Sequence, residues 1–252
     1  MSRPKELNFF VAELNWDLGA DWYASHFDRM ARVRGESSPH YTNLPRFRGV
    51  AERMRELLGP EARIVYMVRE PIERLLSHYL HSVAGGYESR PLPAAVADPE
   101  SAYVARSRYA MQLAPYLESF GRERILILDS GELADARETA IRRAFEFCGV
   151  DASFDSAQFA RKWETGSAKS AGGFRLMDRA VRLPGLRALD RNFDRLPESL
   201  RWLVERLVHD PDAGAASKPE LDPELKQRLA ARFRDDVAQL EEIAGRRFGW
   251  SL

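Results

Sequence analysis

The sequence of 252 residues predicts an α/β protein with a central parallel sheet, and three observations support that prediction. Residues 64–68 and 124–129 are short apolar runs with the composition of buried strands. Segments with apolar residues at helical spacing precede, separate and follow the two runs. Because strands that alternate with helices pair in parallel through right-handed crossovers, the two runs should lie side by side in one sheet.

Each predicted element has its own local signal. Pro71 suits the first turn of a helix, where its missing N–H costs nothing, and Gly59 and Gly245 are typical helix stops. The run at 64–68 is apolar throughout, which predicts burial on both faces of the sheet. In chain order, we predict a helix over 46–58, a strand over 64–68, a helix from 71 to about 85, a loop over 85–100, one or two helices over 101–120, a strand over 124–129, a helix over 136–148 and a helix over 222–245.

Length and composition favour one domain over residues 1–252 and exclude several classes of protein. The hydrophobic fraction of 44% is ordinary for a globular protein, and the formal net charge of zero argues against nucleic acid as a partner. A single cysteine cannot form an intramolecular disulfide, and no Cys/His cluster indicates a metal site. With no recognisable signal peptide and no run of ~20 apolar residues, we expect a cytoplasmic protein without membrane contact.

The junction between the first strand and the following helix predicts an anion-binding site. Ligands of open α/β sheets bind beyond the carboxyl ends of the strands, where helix N-termini offer free N–H groups. Arg69 follows the strand directly, and its planar guanidinium can bind a phosphate through two hydrogen bonds. Ser77, two turns into the helix, adds a hydroxyl donor. The alternative is an ordinary buried strand followed by a surface arginine and a helical serine.

Residues 68–79 resemble the pattern V-R-D-P-x-x-R-x-x-S-x-Y of sulfotransferases that use 3′-phosphoadenosine 5′-phosphosulfate (PAPS), of the bacterial and heparan-sulfate type. The resemblance implies a three-layer, P-loop-like α/β fold in which Arg69 and Ser77 bind the 3′-phosphate of PAPS or of its product PAP. It also implies that no metal takes part. Glu70 departs from the pattern, since the family usually has Asp there. Glutamate is a poorer helix cap, so we expect a less firmly held first turn.

The amino-terminal segments resemble the same family, in family order. Residues 5–10 (K-E-L-N-F-F) are similar to the segment that carries the family's general base, which implies that Glu6 takes the proton from the acceptor hydroxyl. Residues 19–27 are similar to a G-x-x-W-Y-x-x-x-F helix, and residues 35–41 to a G-E-x-S-P-x-Y segment. Taken alone, Lys5 and Glu6 would be an ordinary surface pair.

One expected part of the family's donor site does not occur in the sequence. The family begins with a strand and a glycine-containing loop, K-x-G-T-[ST], whose N–H groups hold the 5′-phosphosulfate. We therefore expect that the first strand and phosphate loop are missing here, and that Met1 is an internal methionine of a longer protein.

The resemblance adds three further candidate residues. Ser77 and His81 are four residues apart on one helix face, and some heparan-type relatives have a catalytic histidine at the matching position; a purely structural role for His81 is the alternative. Residues 161–191 are basic, and the family's basic loop near this place makes Lys169 and Arg175 candidate nucleotide ligands. A solvated basic helix, or an apolar and basic surface for a membrane or an anionic acceptor, explains the same composition.

The predicted function is transfer of a sulfuryl group from PAPS to a hydroxyl or amine of a carbohydrate or small-molecule acceptor. A noncatalytic remnant or scaffold with the same fold is the alternative, because the phosphate loop is absent. A kinase-like phosphate-loop protein is disfavoured, since it would need a G-x-x-x-x-G-K-[ST] loop that the sequence lacks.

Overall fold

The computed structural model describes residues 1–160 and 221–252. In this part of the chain the sheet consists of β1 (Ile64–Val68) and β2 (Ile125–Asp129). The strands run parallel, with Ile64 opposite Ile125 and Val68 opposite Asp129. The carboxyl ends of the two strands therefore lie side by side. The predicted α/β class with a parallel sheet is confirmed.

Helices precede, separate and follow the two strands in the predicted order. Gly245 has a φ of 68°, a left-handed conformation that glycine adopts readily, and it ends the last helix as predicted. Short 3-10 turns lie at Trp16–Leu18, Pro39–Thr42, Arg122–Arg124 and Ala157–Ala160. The α-helices are α1 (Gly19–Ser25), α2 (Val50–Leu58), α3 (Pro71–Ala84), α4 (Leu92–Ala95), α5 (Ala102–Ala105), α6 (Tyr109–Phe120), α7 (Ser130–Asp135), α8 (Arg137–Cys148) and α9 (Pro223–Ala244).

One predicted helix begins later than expected, and the structure decides between the one or two helices expected over 101–120. The helix expected over 46–58 begins at Val50, after Gly49 in the left-handed conformation. The segment 101–120 forms two helices, α5 and α6, separated by residues 106–108. The loop over 85–100 contains the single turn of α4. The prediction of one domain over 1–252 also concerns residues outside the described part and stays a prediction.

One face of the sheet forms the first hydrophobic core. Tyr66 and Val68 of β1 and Ile127 of β2 point into it, and residues of α2 and α6 pack against them. Phe9 and Phe10 are 1% and 0% exposed in this core. Their burial holds the amino-terminal segment against the sheet, and this segment carries Glu6.

The opposite face of β1 is open, and the prediction that this strand is buried on both faces is wrong for the described residues. Val65 and Met67 remain 40% and 43% exposed, although Leu128 of β2 is buried. α8 packs against β2, whereas Val65 and Met67 of β1 stay partly exposed among the described residues.

A second core lies between α3, α4, α5 and α9. Leu75 of α3 and Phe233 of α9 are fully buried in it, and Leu229 is 1% exposed. Asp236 connects this bundle to α6: its carboxylate accepts hydrogen bonds from the N–H groups of Ala110 and Met111 at 3.1 and 3.0 Å. A buried carboxylate of α9 thus supplies the acceptor that the first turn of α6 needs.

Candidate functional site

An open cavity of about 520 Å³ lies beyond the carboxyl ends of β1 and β2. This is the position at which open α/β sheets bind their ligands. The cavity is lined by the strand ends, the first turns of α3 and α7, and two aromatic residues near the carboxyl terminus. Its lining residues are Arg69, Glu70, Glu73, Asp129, Ser130, Gly131, Glu132, Asp135, Ala136, Phe248 and Trp250.

The backbone of Arg69 is held by a buried tyrosine. The hydroxyl of Tyr109 donates to the Arg69 carbonyl at 2.8 Å and accepts from the Arg69 N–H at 3.1 Å. The side chain is 44% exposed and forms a 3.0 Å ion pair with Glu73, one turn into α3. An exposed i,i+4 pair of this kind contributes only about 0.5 kcal/mol, so the guanidinium can exchange Glu73 for another anion at low cost.

Glu70 caps α3 in spite of its departure from the family pattern. Its carboxylate accepts a hydrogen bond from the N–H of Glu73, as the shorter Asp would be expected to do. Glu70 therefore makes the capping hydrogen bond in spite of its longer side chain, and the expectation of a less firmly held first turn stays a prediction.

Ser77 and His81 lie on the same face of α3 as Glu73, one and two turns further along, and both are exposed. In the described part of the chain, the cavity wall includes Glu73 but neither Ser77 nor His81. Arg69 therefore lies in the cavity, whereas Ser77 lies outside it, further along α3. A ligand that contacts both residues would extend from the cavity along the exposed face of this helix.

The opposite wall of the cavity is acidic, and two of its carboxylates, Asp129 and Glu132, are hydrogen-bonded. Asp129 accepts hydrogen bonds from the N–H of Gly131 at 3.0 Å and from the indole of Trp250 at 3.2 Å. Partial burial favours the neutral form of Glu132, but hydrogen bonds and charge from Arg246, with the charge of Arg143, outweigh it and lower the pKa of this carboxyl. Arg69 is the one cation among the described lining residues, against five carboxylates.

The segment that carries Glu6 has an unusual backbone. Glu6 and Asn8 have φ values of 58° and 49°, a region that costs free energy for residues other than glycine. Cross-links to other segments hold it: the N–H of Asn8 donates to the Ser38 hydroxyl at 2.9 Å, and the N–H of Phe9 donates to the Tyr41 hydroxyl at 3.0 Å. The side chain of Glu6 is exposed.

Glu36 organises these cross-links and was not recognised as a site residue from the sequence. Its carboxylate accepts hydrogen bonds from the hydroxyls of Ser38 and Tyr41, the latter at 2.6 Å. Burial raises the pKa of Glu36, although the hydrogen bonds from Ser38 and Tyr41 act in the opposite direction. The signal lay in the G-E-x-S-P-x-Y segment, whose Glu, Ser and Tyr are the three residues of this network.

Arg74 lies on the inner side of α3, next to His78. One guanidinium nitrogen is 3.4 Å from the His78 ring nitrogen Nδ1 and donates to the Ser107 hydroxyl at 3.3 Å. The His78 ring packs on Tyr103, with ring centroids 4.7 Å apart. Burial, followed by the charges of Arg74, Arg106 and His81, lowers the pKa of His78 to about 3. His78 is therefore a neutral side chain at physiological pH.

Two candidate nucleotide ligands, Lys169 and Arg175, lie outside the described residues. Within residues 1–160 and 221–252, no group of three or more His, Cys, Asp or Glu side chains is placed to hold a metal ion. Among the helices of those same ranges, none has both the length and the apolar character that a bilayer span requires.

Comparison with known proteins assigns the chain to a family. A sequence model described as "Sulfotransferase family" matches residues 5–155, which contain Glu6, Glu36, Arg69 and both strands. The chain belongs to the sulfotransferase family. The resemblance seen in the sequence is thereby confirmed at the level of the family.

Two relatives of this chain are distant in sequence. It is 24% identical to the bifunctional heparan sulfate N-deacetylase/N-sulfotransferase 1 of Caenorhabditis elegans, over 81% of this chain and 24% of that protein. It is 34% identical to the membrane-associated sulfotransferase kil1 of Dictyostelium discoideum, over 26% of this chain and 14% of that protein. The chain thus spans about a quarter or less of the length of these curated relatives.

A solved structure shows the same fold. The crystal structure of a sulfotransferase from Alicyclobacillus acidocaldarius superposes with a TM-score of 0.61 at 24% identity. The match covers 98% of this chain and 85% of that chain. The predicted α/β fold of the P-loop-like type is therefore confirmed.

The network around Glu36 leads to the first prediction. Glu36→Ala removes the acceptor of two hydroxyls that also hold the Glu6 segment, so it should lower the free energy of unfolding by about 2 kcal/mol. Urea denaturation of the variant measures this loss. Glu13→Ala, which removes an exposed carboxylate from the same part of the chain, is the control. Equal stability of the two variants would show that Glu36 does not hold the segment.

The lowered pKa of His78 predicts a pH dependence of stability. Because its folded-state pKa of about 3 lies below the ordinary value of 6.5, the unfolded chain binds more protons between these values. The contribution of His78 to stability is complete above pH 6.5 and decreases as the pH falls towards 3. Urea unfolding at several pH values in this window should show a shallower decrease for His78→Gln than for the natural chain. Parallel curves for the two proteins contradict this assignment.

Proposed function

We propose that this chain transfers a sulfuryl group from PAPS to a hydroxyl or amine of a carbohydrate or small-molecule acceptor. The observation that carries the proposal is the position of Arg69: it lies at the end of β1, in the cavity between the strand ends, and within the residues that match the sulfotransferase family. Sulfotransferases generally use PAPS as the donor, and the name of one relative includes heparan sulfate.

The donor would bind through its 3′-phosphate at Arg69. In the free protein Glu73 pairs with this guanidinium, and a phosphate, which carries more charge and can bind through two oxygens, would replace it. The rings of Phe248 and Trp250, stacked 4.4 Å apart, provide an aromatic wall suited to a planar base. Ser77 would donate its hydroxyl to the same phosphate from further along α3. Lys169 and Arg175 remain candidates for the same nucleotide.

The acceptor would meet Glu6. Sulfuryl transfer forms a bond between the acceptor oxygen and sulfur while the bond from sulfur to the phosphate oxygen of PAPS breaks, which releases PAP. A neutral hydroxyl must lose its proton in this step, and the exposed carboxylate of Glu6 would take it. The N–H groups of Asn8 and Phe9 donate to the hydroxyls of Ser38 and Tyr41, and these bonds hold the backbone segment that carries Glu6. His81, exposed on α3, is the second candidate catalytic residue.

A noncatalytic protein with the same fold is the second candidate. The acidic cavity wall favours it, because the five carboxylates of the described lining oppose a nucleotide that carries several negative charges. Nucleotide binding separates the two candidates, since the noncatalytic protein has no need of the donor.

Calorimetric titration with PAP tests the donor site. Arg69→Ala should weaken PAP binding at least about tenfold, because it removes a charged hydrogen-bond donor from the phosphate. Glu73→Gln should strengthen binding, since the competing carboxylate is gone. Arg63→Ala, an exposed arginine before the other end of β1, is the matched control and should bind like the natural chain. Equal affinity of the Arg69 and Arg63 variants would remove Arg69 from the donor site.

The role of Glu6 is tested by turnover. Glu6→Gln should leave PAP affinity unchanged and reduce the release of PAP from PAPS, in the presence of a mixture of glycoside acceptors, by about a hundredfold or more. Glu13→Gln is the control, since Glu13 is an exposed carboxylate near the same segment. If Glu6→Gln turns over at the natural rate, the base is another residue.

A further inference from the structure

Basic side chains gather beside the Glu6 segment and form a group that is separate from the Arg69 cavity. We call His40, Arg46, Arg74 and Arg106 the basic cluster. Arg106 donates to the carbonyl of Pro39 at 2.9 Å, which places it next to His40. His40 and Arg46 both lie against Phe47, at 5.4 Å between ring centroids and 5.1 Å from the guanidinium carbon to the ring.

The charges of the cluster act on one another. Burial, followed by the charges of Arg106 and Arg46, lowers the pKa of His40, whereas the charge of Glu6 raises it. Burial, the charge of Arg74 and that of Arg46 lower the pKa of Arg106 to about 10, although Tyr66 acts in the opposite direction. The cluster and the carboxylate of Glu6 therefore lie within electrostatic reach of each other.

Two buried nitrogen atoms of the cluster have no hydrogen-bond partner among the described residues. Nδ1 of His40 and Nε of Arg106 have no hydrogen-bond partner among the described residues, although both atoms are fully buried. Buried polar atoms are nearly always hydrogen-bonded, because leaving one unpaired costs free energy. In the described part of the chain, Arg46, Arg74 and Arg106 also form no ion pair with a carboxylate.

We propose that the basic cluster is a second anion-binding site, which holds a carboxylate or sulfate group that the acceptor itself carries. Guanidinium and imidazole groups that have no carboxylate partner in a partly buried place bind an anion more strongly than the same groups in water. The cluster adjoins Glu6, which lies on the acceptor side, whereas the Arg69 cavity lies at the strand ends. The identity of the occupant as an acceptor rests on the proposed function; the affinity for an anion does not.

Three p-nitrophenyl glycosides with the same ring test the proposal: the β-D-glucoside, the β-D-glucuronide and the glucoside 6-sulfate. Each is titrated calorimetrically into the full chain, with and without saturating PAP. At least one anionic glycoside should bind about tenfold more tightly than the neutral glucoside. The carboxylate and sulfate arms show which of the two groups the cluster prefers. Ring signals of His40, assigned with His40→Gln, should shift when the preferred glycoside is added.

Variants locate the site. Arg46→Gln, at an exposed position, and Arg106→Gln should each abolish the preference for the anionic glycoside and leave PAP affinity within about twofold. Arg48→Gln, two residues from Arg46 and also exposed, is the matched control and should keep the preference. Thermal melting shows whether each variant is folded, and Arg106→Lys retains the charge if Arg106→Gln does not fold.

The outcomes are distinct from those of the donor test. A chain that binds all three glycosides equally, or binds none, overturns the anion site, and so does a preference that survives both arginine variants. Loss of PAP binding in Arg46→Gln or Arg106→Gln would assign the cluster to the donor and overturn its acceptor role. If the natural chain prefers the anionic glycoside but does not bind PAP, the proposed donor chemistry fails while the anion site stands.

Discussion

The parallel pairing of β1 and β2 is the constraint on which the rest of the structure depends. Its register places Val68 beside Asp129, so the residues that follow the strands meet at one edge of the sheet. Arg69 on one side and the first turn of α7 on the other then face a common cavity. Tyr109 adds α6 to this arrangement, because its hydroxyl bonds to both backbone groups of Arg69. A shift of one residue in the pairing would turn these side chains to the other face of the sheet.

The two halves of the candidate site are held by different interactions. The Arg69 half relies on backbone geometry at the strand ends, which any α/β sheet of this type provides. The Glu6 half relies on side chains: Glu36 accepts hydrogen bonds from two hydroxyls, and these hydroxyls in turn accept from the N–H groups of Asn8 and Phe9. The first half therefore tolerates sequence change near the strands better than the second tolerates change at Glu36.

The sequence predicted those features that local patterns determine. Apolar runs, Pro71 and terminal glycines placed both strands and most helices, and the Arg69 motif identified the family and the cavity's position. Contacts between distant segments were beyond such patterns: Asp236 reaches Ala110 across 126 residues. The ion pair of Arg69 with Glu73 was also missed, because the spacing of charges in the sequence does not show which carboxylate an arginine binds. Val65 and Met67 are exposed because of how other segments pack around the sheet, and the apolar sequence of β1 does not show that packing.

Asp236 and Trp250 give the order in which the protein can assemble during synthesis. The strands and α6 leave the ribosome long before α9, yet the first turn of α6 takes its hydrogen-bond acceptor from Asp236. Trp250 supplies part of the cavity wall and bonds to Asp129. The nascent chain therefore carries an incomplete cavity until Trp250 has been translated, long after both strands.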